Sequence, residues 1–170
     1  LTPSNACVGP SPASGRGEKG AALTRTVRKP LRIGWCEWVS LPSFGVDAIR
    51  AKIDTGAKTS AIHVWRLKER AIDGVPYALF FLHPLAGRDR PEIACRAPII
   101  GRRVIKSSNG IGSARIIIRT RLRMGKRTWP IDLSLANRDQ MGFRMLIGRD
   151  ALGERALIHP AREHMLGEPE

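Results

Sequence analysis

Asp54 is the residue best placed to do chemistry. It lies in Ala51-Lys52-Ile53-Asp54-Thr55-Gly56-Ala57-Lys58-Thr59-Ser60-Ala61, which enters by apolar alternation, sets an acid at a tight turn, and leaves through small and hydroxyl residues. Glycine at 56 lets backbone amides approach the carboxylate and tolerates unusual dihedrals. The Thr55 hydroxyl can lock the turn. A carboxylate held this way can take a proton from water, but hydrolysis of an amide by carboxylates uses two. One deprotonates water while the other protonates the carbonyl oxygen, and the repulsion of close like charges splits their pKa values and assigns the roles. This chain offers one Asp-Thr-Gly.

The elements around it must be strands. Ile33–Leu41 reads as a strand ended by Pro42 and the Ser43-Phe44-Gly45 turn, and Ala48–Ile53 alternates and delivers Asp54 at its end. Thr59–Val64 is a third short β segment. Residues 65–76 read as charged and turn-like around Asp73-Gly74. Tyr77–Leu82 is strongly β, Leu85–Pro91 is a polar loop, and Glu92–Ile100 resumes as strand, with Pro98 suggesting an edge or a bulge. Lys106-Ser107-Ser108-Asn109-Gly110-Ile111-Gly112-Ser113 reads as a hairpin tip. Ala114–Arg123 alternates Ile with Arg and Thr, Met124–Arg127 turns the chain, and Thr128–Leu135 returns. Met145–Ile147 is a short buried strand, and Gly148-Arg149-Asp150-Ala151-Leu152 opens the single short helix. The expectation is a mainly β domain, a small closed β-barrel, with no internal repeat.

Composition bounds the class. With 170 residues, one domain is the prior, and 42% hydrophobic content supports a core although aromatics are only 5%. Residues 1–29 are Gly, Ser, Pro and Ala with scattered basics, a composition that cannot offset its ordering entropy, so they read as a disordered basic tail. The domain is expected over 30–160, with 161–170 a C-terminal tail. No apolar run reaches membrane-spanning length and no secretory h-region is evident. Cys7, Cys36 and Cys95 are sparse, odd in number and lack a Cys-x-x-Cys, which fits a reducing, cytoplasmic setting with Cys36 and Cys95 as small buried hydrophobes. Lys and Arg number 29 against 15 acids, a net charge of +14 and a pI near 11.1. Such a field favours acidic partners.

A second feature near the end gives Asp54 its context. Met145-Leu146-Ile147-Gly148-Arg149-Asp150-Ala151-Leu152 supplies the apolar-apolar-Gly-Arg-Asp-x-Leu pattern that follows Asp-Thr-Gly-Ala and a glycine-bearing hairpin in retropepsins. The sequence resembles that superfamily from about Ile33 to Leu157. It is most similar to bacterial retropepsin-like peptidases linked to ATP-grasp glutamate ligases, a family that has carried the label ATP-dependent zinc protease. The likeness extends through Cys95-Arg96-Ala97-Pro98, Lys106–Gly110 and the run Ser134–Arg149.

The resemblance implies a single-lobe retropepsin-like (acid-protease) barrel active as an aspartic endopeptidase. One Asp-Thr-Gly then implies a homodimer, with Asp54 given once by each chain. It makes Asp54 the catalytic residue and gives Thr55 and Gly56 the bracing of the two loops. Substrate contact falls to Ala57 and to a flap tip including Ser107, Ser108, Asn109 and Gly110. Gly148 and Arg149 become support behind the loop. No metal ligands and no cofactor are implied, and the substrate is a peptide, by association a glutamate-extended tail on a ribosomal protein. Two departures stand out: Asp54 and Gly148 are 94 residues apart, well beyond the viral spacing, and Lys58 stands where viral relatives carry an acid.

Other readings stay open. A turn acid is the plainer account of Asp54, and an ordinary hairpin that of 107–112. Zinc chemistry needs three or four ligands. His63, His83, His159 and His164 are scattered, and His63, His83 and Cys95 are the set that could assemble in space. No phosphate-binding Gly-x-x-x-x-Gly-Lys loop supports ATP use except through a partner such as the ligase. A non-catalytic basic β-barrel binding RNA or the ribosome would rest on Arg115, Arg119, Arg121, Arg123, Lys126 and Arg127. Without interleaved aromatics, such binding would be phosphate-driven and nonspecific.

Overall fold

The computed structural model describes residues 29–169 except Ala86, residues 107–109, Ile111 and residues 137–141. The described chain is mainly β with one short helix. In order the elements are β1 (Leu31–Gly34), β2 (Cys36–Leu41), β3 (Val46–Ile53), β4 (Ser60–His63), β5 (Trp65–Ile72), β6 (Val75–Leu82), β7 (Ile93–Lys106), β8 (Gly112–Met124), β9 (Arg127–Ala136), β10 (Met145–Ile147), α1 (Arg149–Leu152) and β11 (Ala156–His159).

One sheet runs β2-β3-β10-β4-β9-β8-β7-β6-β5, and β8 also pairs with β2. The additional pairing turns six of the strands into a ring. The closed barrel expected from the sequence is thus reduced to a ring joined by one residue pair, Ser40 with Arg123. The reason is the length of β8. Its first half pairs with β7, while its last residues reach β2 and leave β7, β6 and β5 as an arm outside the ring. The Arg123 guanidinium reinforces the closure by donating to Ser40 Oγ at 3.2 and 3.3 Å.

Alternation along β8 builds one wall of the core. Ile118, Thr120, Leu122 and Met124 are buried, while Arg119, Arg121 and Arg123 face out, as a period of two requires. They meet Ile49, Ile62, Leu133 and Met145 in the interior. Each such aliphatic side chain contributes about 1.5–3 kcal/mol by leaving water. Cysteines 36 and 95 are buried, as expected.

Several segments differ from the expectation. The turn expected at Asp73-Gly74 is present, but residues 65–72, expected to be turn-like, form β5, which pairs with β6 across it. The charges that disguised it lie on the outermost strand, where an edge tolerates and benefits from them. The strand expected over Ile33–Leu41 divides at Trp35, whose N–H donates to Arg162 O at 2.8 Å and whose carbonyl accepts from Ile53 N at 2.9 Å. That division sends β1 to a parallel pairing with β11 and β2 to β3. Pro98 is in an interior strand, one residue before a pairing irregularity between Ile99 and Gly101, so the bulge was the apt half of that expectation.

Residues 162–166, assigned from the sequence to a C-terminal tail, are hydrogen-bonded to the domain. Fully buried Glu37 accepts Gly34 N at 2.6 Å, Met165 N at 2.9 Å and Leu166 N at 3.3 Å. An unsatisfied buried polar group costs about 1–3 kcal/mol, and Glu37→Ala strands three donors at once. Urea unfolding should show Glu37→Ala less stable by about 3 kcal/mol or more, with Glu37→Gln, which keeps one acceptor oxygen, in between.

Candidate active site

Two short backbones meet end to end at the site. β10 lies between β3, to which it is parallel, and β4, to which it is antiparallel. Parallel register puts Ile147 level with Ile53, so both strands finish together and the pairing runs on as Asp54 N donates to Ile147 O at 2.9 Å. Asp54 and Gly148, far apart in sequence, thereby become neighbours.

The loop from Asp54 to Thr59 folds around its own acid. Asp54 Oδ1 accepts the N–H of Gly56 at 3.1 Å and of Ala57 at 3.2 Å, and Ala57 N also donates to Asp54 O at 3.2 Å. Asp54 is half-buried, while Thr55 and Gly56 are exposed. The carboxylate is fixed through one oxygen, which leaves its orientation set by backbone and not by a flexible side-chain partner.

The start of α1 clamps the loop from behind. Arg149 N donates to Ala57 O at 2.9 Å and Asp150 N to Lys58 O at 3.0 Å. The Arg149 guanidinium donates to the carbonyls of Thr55 and Gly56, at 2.6 and 3.1 Å. Backbone carbonyls thus take the role that an acid at position 58 would have filled, and Lys58 is exposed. Gly148 N donates to Ser60 Oγ at 3.1 Å, while Ser134 Oγ donates to Ser60 O at 2.9 Å.

A polar lattice not singled out in the sequence joins this loop to the β7–β8 hairpin. Arg103 donates to Thr59 Oγ1 at 3.0 Å and to Asp132 Oδ2 at 3.1 Å, and Arg119 donates to Asp132 Oδ1 at 2.9 Å. Nothing in the local pattern marks Arg103 among so many arginines; its partners are set by tertiary pairing. Of the expected flap residues, Ser107, Ser108 and Asn109 lie outside the described residues. Gly110 is exposed at φ 77°, and the arms pair to Lys106 opposite Gly112. In the basic cluster, Arg119 is tied to Asp132, Arg123 to Ser40, Arg127 to Lys29 O at 2.7 Å, and Arg115 to Ser113.

The histidine set considered for zinc is arranged otherwise. His63 and His83 flank the Trp65 ring, with centroids 3.8 and 3.9 Å from it, and His83 Nε2 lies 3.0 Å from Glu92. Burial pushes the Cys95 thiol up to about 11. Among the described residues, the group with three donor atoms mutually within 4.8 Å is Cys36, Glu163 and His164, in place of His63, His83 and Cys95. No described helix is long and apolar enough to cross a membrane.

The arrangement of an Asp-Thr-Gly loop, a short central strand and a Gly-Arg helix start agrees with a family match. The model described as retropepsin-like aspartic endopeptidase RimB covers residues 32–169. The chain belongs to the RimB-like family. Curated relatives of this RimB-like chain include proteins named probable alpha-L-glutamate ligase, from Desulfotalea psychrophila (46% identical over 136 residues) and Shewanella pealeana (40% over 136 residues). Each alignment covers 80% of this chain but only 29% and 30% of those proteins, so the chain spans under a third of the relatives it matches. The crystal structure of Lpg0085, a Legionella pneumophila protein of unknown function, shares the RimB-like chain's fold at a TM-score of 0.67 and 23% identity, covering 80% of this chain and 98% of that one.

A Cβ on Gly148 would sit 2.7 Å from Lys58 O and 2.8 Å from Thr59 C, both backbone atoms. Gly148→Ala should therefore destabilise the domain by about 1–3 kcal/mol, as overpacking typically does, measured by urea or thermal unfolding. Arg149→Met, which removes the Nη1 that donates to both carbonyls, should leave unfolding nearly unchanged while loosening the loop, seen as faster amide exchange at Gly56 and Ala57.

Proposed function

We propose that this chain is an aspartic endopeptidase in which Asp54 of two identical subunits forms the proton-sharing dyad. The observation that supports this most is the seating of Asp54. Its carboxylate is oriented by the Gly56 and Ala57 amides at the end of β3, and its loop is backed by Gly148 and Arg149. In this reading one Asp54 takes a proton from water, the water oxygen adds to the peptide carbonyl, and the partner carboxyl gives its proton to the carbonyl oxygen. Collapse of the tetrahedral species, with proton return to the departing nitrogen, completes hydrolysis. Exposed Thr55 and Gly56 supply the face on which the second loop rests, and Ala57 and Gly110 contact the peptide.

The substrate proposed is an acidic peptide, a glutamate-extended ribosomal-protein tail in particular. The net charge of +14 favours a polyanion. The relatives' name, given to proteins more than three times as long as the aligned stretch, associates this domain with a glutamate ligase. The ligase activity belongs, in this reading, to the remainder of those longer proteins, with this domain removing what a ligase adds.

The dyad is tested by mixing. Asp54→Asn should fold normally and lose about 10²–10⁴-fold or more in kcat/KM on a glutamate-rich peptide, the scale of a positioned acid or base. Co-refolding equal amounts of wild type and Asp54→Asn should leave about a quarter of the activity, because only like-with-like wild-type pairs carry two carboxylates. Half the activity would mean that each chain works alone. The same cleavage should weaken steeply as salt rises, mainly through KM; a salt-independent KM would remove the polyanion from the proposal.

A further inference from the structure

The last residues of the chain bring an acid and an imidazole to a thiol. Cys36 Sγ, a Glu163 oxygen and a His164 ring nitrogen lie within 4.8 Å of one another. Cys36 Sγ and His164 Nε2 are 3.9 Å apart. Sulfur and nitrogen ligands sharing one tetrahedral zinc stand about 3.6 Å apart, from Zn–S near 2.3 Å and Zn–N near 2.0–2.1 Å. For that pair a shift of a few tenths of an ångström suffices, and the Glu163 carboxylate, within 4.8 Å of both, would move in to complete the set.

The imidazole is already oriented for such a role. Its Nδ1 faces Glu168 Oε1 at 3.3 Å, and a proton on Nδ1 donated to that carboxylate would leave the Nε2 lone pair facing Cys36. A carboxylate behind a histidine is the usual outer partner of a metal-bound imidazole. The backbone holds it there too: His164 N donates to Cys36 O at 2.8 Å, and His164 is kept at φ 52°, a conformation non-glycine residues adopt at a cost. Trp38 packs against the ring at 5.8 Å.

We infer that Cys36, Glu163 and His164 form a binding site for a borderline-soft divalent cation, zinc being the best match. The site pins the C-terminal segment to the start of β2 and is separate from Asp54. A thiolate and an imidazole select zinc over magnesium or calcium, which prefer all-oxygen shells. Binding transfers the Cys36 thiol proton to solvent, so one proton is released for each ion taken up. The Arg50 guanidinium reaches both Glu163 Oε2, at 3.0 Å, and the Cys36 sulfur, so a bound ion displaces it from the sulfur, while a carboxylate can serve a cation and a guanidinium through its two oxygens. With zinc bound, its two charges and that of Arg50 balance the thiolate and the carboxylates of Glu163 and Glu168. The fourth position is left to water.

The experiment uses the whole chain, stripped by chelator under reducing conditions and titrated with zinc against a chromophoric competitor, then with cobalt. Expected are stoichiometric binding, a rise in unfolding temperature, and a near-ultraviolet thiolate-to-cobalt band. His164→Gln and Glu163→Gln, both on partly exposed residues, should stay folded by circular dichroism and weaken zinc binding by about tenfold or more. Cys36→Ser should abolish the cobalt band, and Asp54→Asn should keep all of it. Folded wild-type chain that takes up no zinc overturns the inference. So does binding that His164→Gln and Glu163→Gln leave unchanged, or a band that depends on Cys95. None of these outcomes bears on the Asp54 dyad, which is read by peptide cleavage.

Discussion

The position of Asp54 depends on how closely two backbones approach at Gly148. No side chain fits between that residue and the chain at Lys58 and Thr59, so the constraint is steric before it is electrostatic. Given that approach, the hydrogen bonds follow in register: β10 ends level with β3, Asp54 continues the ladder, and the first amides of α1 meet the carbonyls of Ala57 and Lys58. Arg149 then closes over Thr55 and Gly56. The acid is oriented by main-chain geometry throughout, which is the stiffest support a protein offers for a loop residue.

Polar side chains do much of the joining elsewhere. With only 5% aromatic residues, the interior is filled by Ile, Leu, Val and Met, which pack well on pleated surfaces but carry no directional information. Direction comes from a few buried or shared acceptors. Glu37 gathers three backbone amides from both ends of the domain, and Asp132 gathers Arg103 from β7 and Arg119 from β8. The ring itself is joined where Arg123 meets Ser40. These contacts relate strands that the hydrophobic pattern alone would let slide.

What the sequence disclosed and what it concealed divide along the same line. The strand delivering Asp54, the short Met145–Ile147 strand and the helix at Arg149 were legible because each is written in neighbouring residues. β5 was concealed because its Arg, Lys and Glu imitate a loop, and only its place at the sheet edge makes them reasonable. The break at Trp35 was concealed because its cause is the carbonyl of Arg162, more than a hundred residues away. The same holds for Arg103 and for the group at Cys36: local patterns name the residue types, and only the pairing of distant strands says which of them meet. Lys58 is an intermediate case. Its departure from the viral pattern was visible, but the use of carbonyls by Arg149 in place of an acid was not.

The parallel pairing of β1 with β11 has a consequence for the order of events at the ribosome. Leu31, at the start of the described domain, takes Ala156 near its end as its partner, and Glu37 waits for the amides of Met165 and Leu166. During vectorial synthesis β1 therefore remains unmated until β11 emerges, although β2 can pair with β3 at once, and a nascent chain halted short of β11 leaves β1 uncovered. Non-local pairing of this kind slows folding and lengthens exposure to aggregation. Completion of the domain thus waits on the synthesis of β11 and the segment that follows it.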